Sequence, residues 1–241
     1  MNYYGHNYYD SIKLMDNLHC YIWQGRGNNC NSCLFTNVLG GNKPHLIIDP
    51  GHTEDELGEQ CFNYLTTSIE KDGFSIDDIG LIINTHSHAD HCQANPVIVQ
   101  KSKSKIALSK EEDEFRHTGG KILDSMFGIK STSFDVDLYL KEGSFESHDS
   151  PQIDLQILFT PGHSPGSICI YWPSQKILIT GDVVFYGSIG RTDFPGSSDF
   201  QMRGSLKKLV CLPDSFLVNP GHGPETTLGV EKQVNPFLCD L

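Results

Sequence analysis

Basic residues are scarce in this chain: 18 lysines and arginines stand against 30 aspartates and glutamates among 241 residues, giving a formal charge of −12 and an isoelectric point near 5.2. A surface that binds nucleic acid must be basic to neutralise phosphates, so nucleic acid is excluded as a partner. Long apolar runs are also lacking. None approaches the roughly 20 residues that a membrane span needs, so no membrane is expected. The opening stretch MNYYGHNYYD has neither the basic nor the apolar region of a secretory leader, and a cytoplasmic location is expected. In that compartment the eight cysteines are expected as reduced thiols, with Cys169 and Cys211, both in apolar runs, in the core. Cys30 and Cys33 lack the second C-x-x-C pair that a zinc ribbon requires, which leaves Asn31-Ser32-Cys33-Leu34-Phe35 as a strand. No stretch has the composition of a linker and no internal repeat is visible. With 38% hydrophobic and 20% charged residues, the chain reads as one globular domain over residues 1–241 with a sizeable core.

What the chain does have is concentrated at Leu81-Ile82-Ile83-Asn84-Thr85-His86-Ser87-His88-Ala89-Asp90-His91. The aliphatic run predicts a buried strand, and it stops at four side chains able to ligate a divalent metal. Open α/β sheets bind ligands beyond the carboxyl ends of their strands, so the position suits a site as well as the residue types do. In a loop at that point His86 and His88 can point one way, with Asp90 and His91 facing a second position nearby. Three later segments repeat the design of strand, small turn residues and donor: Gln156–Phe159 leads to Gly162-His163, residues 176–180 to Gly181-Asp182, and Phe216-Leu217-Val218-Asn219 to Gly221-His222. Glycine before each donor allows a sharp turn and a close backbone approach. A histidine-rich polar turn would account for the first segment taken alone, but four segments of one design argue against it.

The remaining chain supplies the scaffold. Leu46-Ile47-Ile48 predicts a strand ending at Asp49-Pro50-Gly51-His52, with His52 behind the site or at the surface. Thr53 and Glu56 have capping-box spacing, so a helix is expected from Thr53 to about residue 70, burying Leu57, Cys61, Tyr64, Leu65 and Ile69. A helix is expected from residue 95, a short strand at Ile106-Ala107-Leu108, and a second capped helix from Ser109 with Glu112 three residues on. Lys101, Lys103 and Lys105 alternate with serine as a solvated turn. From there to Ser131 the pattern is indistinct and is expected to shape a substrate entrance. Ile168–Trp172 and the 176–180 run flank Pro173-Ser174-Gln175 as a hairpin. Asp199–Val210 predicts a helix burying Phe200, Leu206, Leu209 and Val210. Strands flanked by helices in both halves imply an α/β fold of two sheets packed face to face with helices outside.

In that order, Thr85-His86-x-His88-x-Asp90-His91, Gly162-His163-Ser164-Pro165-Gly166-Ser167, Gly181-Asp182 and Gly221-His222-Gly223 resemble the metallo-β-lactamase superfamily. Gly187-Ser188-Ile189-Gly190-Arg191-Thr192-Asp193-Phe194-Pro195-Gly196, Gly223-Pro224-Glu225-Thr226-Thr227-Leu228-Gly229 and Asn235-Pro236-Phe237-Leu238 resemble its single-domain glyoxalase II-like (hydroxyacylglutathione hydrolase-like) branch. The resemblance implies a four-layer αββα sandwich, two mixed sheets with helices on the outer faces and the site at one edge. It implies one metal on His86, His88 and His163, a second on Asp90, His91 and His222, and Asp182 bridging them, with Asp49 supporting from behind and Cys92 nearby but not ligating. Two divalent ions follow, zinc first and iron or manganese on the same donors. Such ions lower the pKa of bound water from 15.7 to about 7 and polarise a carbonyl, so Asp90 and Asp182 are the catalytic carboxylates and a small-molecule thioester is the expected substrate. The superfamily's nuclease branch conflicts with the charge. Arg191 lines the pocket or forms a structural pair with Asp193. The chain ends at Leu241, soon after His222, so the helical glutathione-binding domain of longer relatives is expected to be absent, and glutathione selectivity with it. A second reading, a persulfide dioxygenase with one iron on His86, His163 and Asp182, shares the motifs. A third, a non-catalytic metal-binding protein, suits seven donors in two open sets poorly, because structural sites are closed. Oligomeric state is not legible.

Overall fold

The computed structural model describes residues 8–145, 153–239 and 241. The polar opening of the chain before Tyr8, and the end of the 101–150 region, lie outside the described residues. The first sheet comprises β1 (Tyr9–Met15), β2 (Leu18–Trp23), β3 (Ser32–Phe35), β4 (His45–Ile48), β5 (Ile79–Ile83), β6 (Lys105–Ser109) and β7 (Leu138–Leu140), in spatial order 1-2-3-4-5-6-7. Its pairs are antiparallel from β1 to β4 and parallel from β4 to β7. Helices α1 (Cys61–Lys71), α2 (Ala89–Cys92), α3 (Asn95–Ser102), α4 (Lys110–Arg116) and α5 (Gly119–Met126) interleave with it. The second half adds β8 (Gly143–Ser144), β9 (Gln156–Phe159), β10 (Ile168–Trp172), β11 (Ile177–Gly181), the small hairpin β12 (Val184–Phe185) and β13 (Ser188–Ile189), α6 (Asp199–Val210), β14 (Leu217–Pro220), β15 (Thr226–Thr227) and α7 (Leu228–Val234). Its main sheet runs 15-14-11-10-9-8, with β11 and β14 parallel and the other neighbours antiparallel.

Side-chain alternation explains why these strands are apolar on both faces. Leu46, Ile48, Leu81 and Ile83 point inward and meet Ile157, Ile168, Ile170 and Ile177 of the other sheet in a shared core. Ile47 and Ile82 point outward, under Phe62, Leu65 and Ile69 of α1 and Ile98 of α3. On the far side Leu178 and Val218 receive Met202, Leu206 and Leu209 of α6 and Leu228 of α7. The result is the expected α/β fold, a four-layer αββα arrangement of two mixed sheets with helices on the outer faces.

Several local expectations give way. The helix after β4 begins at Cys61, not Thr53. The Asp55 carboxylate accepts from the amides of Leu57 and Glu59, both at 2.9 Å, and closes a turn that leaves Leu57 56% exposed. Thr53 gives its amide and hydroxyl to Gln93 Oε1 instead of capping. Ser109 does cap α4 by accepting from the Glu112 amide, but the buried Glu112 side chain leaves the box to serve two loops of the site, one from each half of the chain. Helix α5, indistinct in sequence, is formed. On α6, Phe200 is 87% exposed. It sits two, six and nine positions from Met202, Leu206 and Leu209, on the opposite side of a 3.6-residue turn, while Val210 is half-buried. Cys211, just past α6, is exposed and not core, whereas Cys169 is buried.

The α6 reassignment is testable by denaturation. Leu206→Ala should destabilise by about 2–5 kcal/mol, and Phe200→Ala should stay within about 0.5 kcal/mol of the parent. Equal losses would return Phe200 to the core.

Candidate metal centre

Four strand ends deliver the polar groups to one place. β5 ends at Ile83, and the next residues carry His86 and His88 before α2 presents Asp90 and His91. His163 follows β9, Asp182 follows β11 directly, and His222 follows β14. The two halves are stitched across this edge by Ile168 N–H to Thr85 O (2.9 Å) and Asn31 N–H to Gly221 O (2.7 Å), while Gly221 N–H to Gly181 O (2.8 Å) ties the two strand ends of the second sheet. Glycine is required at two of the turns. A Cβ on Gly221 would lie 2.3 Å from Asp182 Oδ1, and Gly181, at φ +48°, would drive one to 2.4 Å from Thr85 Oγ1.

The structure brings all seven candidate donors together. His88 Nδ1 is 3.1 Å from His86 Nε2 and 2.9 Å from His163 Nε2. Asp182 Oδ1 is 3.2 Å from His91 Nε2, and its Oδ2 is 3.4 Å from His163 Nε2 and 3.5 Å from His222 Nε2. Asp90 Oδ2 is 3.3 Å from His222 Nε2 and 3.9 Å from His91 Nε2. Three groups have donor atoms within 4.8 Å of one another: His86 with His88 and His163, His86 with His91 and Asp182, and Asp90 with His91 and His222. The fit to divalent ions has an internal sign. His91 Nε2 and Asp182 Oδ1 face each other in the interior, yet neither has a hydrogen-bond partner. Buried polar groups in proteins generally find partners, and a shared cation would satisfy both of these.

Behind the donors, outer contacts hold the His91 and His163 rings and the Asp90 carboxylate. Asp49, at the left-handed φ of +49°, takes His91 Nδ1 at 2.9 Å and the Thr85 amide and hydroxyl at 2.8 and 2.6 Å. His163 Nδ1 donates to the Arg191 carbonyl at 2.9 Å, and Asn28 Nδ2 donates to Asp90 at 2.8 Å. Such outer contacts fix tautomer and orientation. Glu112 was not legible as part of this shell. Its carboxylate accepts from Ser87 N and Oγ, between His86 and His88, and from Gly166 N, just after His163 (2.9, 2.6 and 2.7 Å). His52 is buried against Gln93, 3.1 Å away, and is not at the surface. Cys92 is buried and donates to the Ser87 carbonyl.

Burial separates the charges. Burial first, then the His91 and His88 rings, holds His86 well below the ordinary imidazole value. Burial and His163 push His88 down to about 3. For His91 and His222 burial acts in the same sense but loses to the Asp182 carboxylate, aided by Asp49 and Asp90 at His91 and by Asp90 at His222. His91 is thereby lifted well above its ordinary value and His222 to about 10. Burial would raise Asp90 and Asp182, yet His91 and His222 hold both well below the usual carboxylate range.

A cavity of about 500 Å³ opens on His88, Asp90, Asp182, His163 and His222. Its other walls come chiefly from Leu123, Phe127 and Ile129, in the region expected to shape the entrance though not singled out there, beside Phe185, Ile189 and Phe194. Arg191 fits both sequence readings. It lines the cavity and also makes a two-pronged pair with Asp193, both contacts 2.7 Å.

Comparison with known proteins follows the same lines. The family model described as the Metallo-beta-lactamase superfamily matches residues 25–222. The probable metallo-hydrolase YqgX of Bacillus subtilis is 39% identical over 195 residues, 80% of this chain and 86% of that protein. The hydroxyacylglutathione hydrolase GloC of Haemophilus influenzae is 32% identical over 206 residues, covering 83% and 90%. The crystal structure of TTHA1623 in a di-iron-bound form superposes with a TM-score of 0.70 at 31% identity, covering 87% of this chain and 95% of that one.

Protonated His91 and His222 must lose their protons to donate to a metal. Loading the metal-free protein near pH 7 should therefore release about two protons per chain, and affinity should rise with pH. Calorimetry in buffers of different ionisation enthalpy measures this, and a proton-neutral titration would contradict the charge distribution. The same shift bears on stability without metal. The His222 value rises from 6.5 to about 10, so its contribution is complete below pH 6.5 and is lost as the pH climbs through about 10.

Proposed function

The chain belongs to the metallo-β-lactamase superfamily and is a metal-dependent hydrolase of it, and we propose that it cleaves small-molecule thioesters, hydroxyacylglutathiones among them, at a dinuclear centre. The observation that carries this reading is Asp182, whose carboxylate touches donors of both sets, His163 of one at 3.4 Å and His91 and His222 of the other at 3.2 and 3.5 Å. In this reading His86, His88 and His163 hold one ion, Asp90, His91 and His222 hold the other, and Asp182 lies between. The donors suit zinc first, with iron or manganese on the same set. Residues 1–241 form one domain in this proposal, in a reducing cytoplasm that eight free cysteines suit.

When bound, such ions supply a water that ionises near pH 7 and polarise the acyl carbonyl. The chain's own groups do the rest. Asp90, fixed by Asn28 and half-buried at the cavity floor, orients the attacking water. Asp49 keeps His91 in one tautomer through Nδ1, and the Arg191 carbonyl does the same for His163. A thiolate leaving group is weakly basic and needs little protonation, so the site requires no separate general acid. The similarity to a hydroxyacylglutathione hydrolase supports the substrate class.

The alternative is a mononuclear persulfide dioxygenase with iron on His86, His163 and Asp182. Those donors are also close together, since His86 groups with His163 and with Asp182, and His163 Nε2 is 3.4 Å from Asp182 Oδ2, so the variants and not the distances decide between the readings. Asp90→Ala and His222→Ala separate the readings, with metal counted per chain and both hydroxyacylglutathione hydrolysis and persulfide-dependent oxygen uptake measured. The hydrolase reading expects each variant to lose a metal and hydrolysis to fall on the order of 10³-fold, as when a transition-state stabiliser is deleted. One retained iron with most of the oxygen uptake would establish the dioxygenase. Asp182→Asn should abolish most activity on either reading, because a neutral amide does not balance the cations.

A further inference from the structure

Beyond the donors, the cavity is an apolar slot. Leu123 lies on α5, Phe127 caps the helix one turn later, and Ile129 follows just past it. They face Phe194, Ile189 and Phe185 from the other half of the chain. The rings of Phe127 and Phe194 meet edge to face, centroids 5.5 Å apart at 78°. This aromatic lining reaches the donors themselves. Phe194 is 6.1 Å from His88 and 6.4 Å from His163, and Phe185 is 5.9 Å from His222. An acyl group placed with its carbonyl at the donors therefore projects between hydrocarbon walls.

Charge on the remaining walls points the same way. Glu56 and Asp124 put two carboxylates on the lining. Among the described lining residues Arg191 is the fixed cation, and its guanidinium is committed to both oxygens of Asp193 and to the Phe194 face, 3.9 Å from the ring centroid. A carrier thiol bearing several carboxylates or phosphates would have to displace Asp193 and approach two further acids.

Building on the hydrolase reading above, we propose that the slot selects thioesters of apolar acyl groups, aliphatic chains of about six carbons or a benzoyl ring, on an uncharged thiol. Water adds its oxygen to the acyl carbon, the C–S bond breaks, and the departing thiolate takes a proton, giving a carboxylic acid and a free thiol. The preference comes from the far walls and not from the reacting atoms, so it acts on kcat/KM across a series with one leaving group.

The test uses the metal-loaded full chain with acetyl, butyryl, hexanoyl, benzoyl and lactoyl thioesters, each on N-acetylcysteamine and on glutathione. With about 0.8 kcal/mol per buried methylene, kcat/KM should rise about three- to fourfold per methylene, on the order of 100-fold from acetyl to hexanoyl. The glutathione series should be no better than the neutral one. Phe127→Ala, at a half-exposed position where folding is not at stake, should cut the hexanoyl-to-acetyl ratio about tenfold, and Phe194→Ala should act likewise. A flat acyl series, a preference for lactoylglutathione, or a ratio unmoved by both variants overturns the proposal. If no thioester is cleaved, the hydrolase reading falls, and the slot is then judged by calorimetric binding of the acids alone. Hexanoate tighter than lactate, with the difference lost in Phe127→Ala, supports it, and equal binding overturns it.

Discussion

One carboxylate, that of Asp182, is buried among the rings of His91, His163 and His222, and the architecture of the site follows from accommodating it. A charge in that position is costly unless matched. The matching groups come from both sheets, so both must bring strand ends to the same edge. The parallel β11–β14 pairing loses regular register between Ile179 and Gly181, one residue before Asp182, and irregularities of this kind re-aim a side chain. Gly221, on the neighbouring strand end, leaves space where any side chain would strike the carboxylate. The hydrogen bonds from Ile168 to Thr85 and from Asn31 to Gly221 then hold the two halves together.

The layer behind the donors is polar yet fully buried, and it is stable because it is nearly saturated. Asp49 accepts from Thr85 twice and from His91, and Asn95 donates to Asn84, which in turn donates to the His91 carbonyl. Glu112 does the same on the opposite flank for the loops that carry His86, His88 and His163. A half-satisfied network would be worse than an apolar one.

Sequence and structure agree where one residue pattern has one physical solution. The β5 run is aliphatic because both faces are buried, and its donors sit past the strand end, so the first motif was legible down to single residues. Helix α6 was legible in extent, but its buried face was not, since Phe200 is hydrophobic without lying on the arc of Met202, Leu206 and Leu209. The Thr53 to Glu56 spacing misled because Gln93 takes the Thr53 amide and hydroxyl while Asp55 closes a turn on the amides of Leu57 and Glu59. Glu112 and the α5 wall were hidden for a different reason. Their roles depend on residues 25 to 70 positions away in the chain, and local periodicity carries no record of such partners.

Donors and walls come from different parts of the chain. The donors are anchored in strand ends and in two saturated polar layers, so a change at any of them disturbs several buried groups at once. Phe127, by contrast, is half-exposed on a short helix remote from the core between the sheets. Mutational tolerance is therefore unevenly distributed: the chemistry is entrenched, while substrate range rests on a few positions that can drift at little thermodynamic risk. A lineage carrying this scaffold can explore new acyl groups one substitution at a time without first dismantling the centre that reacts with them.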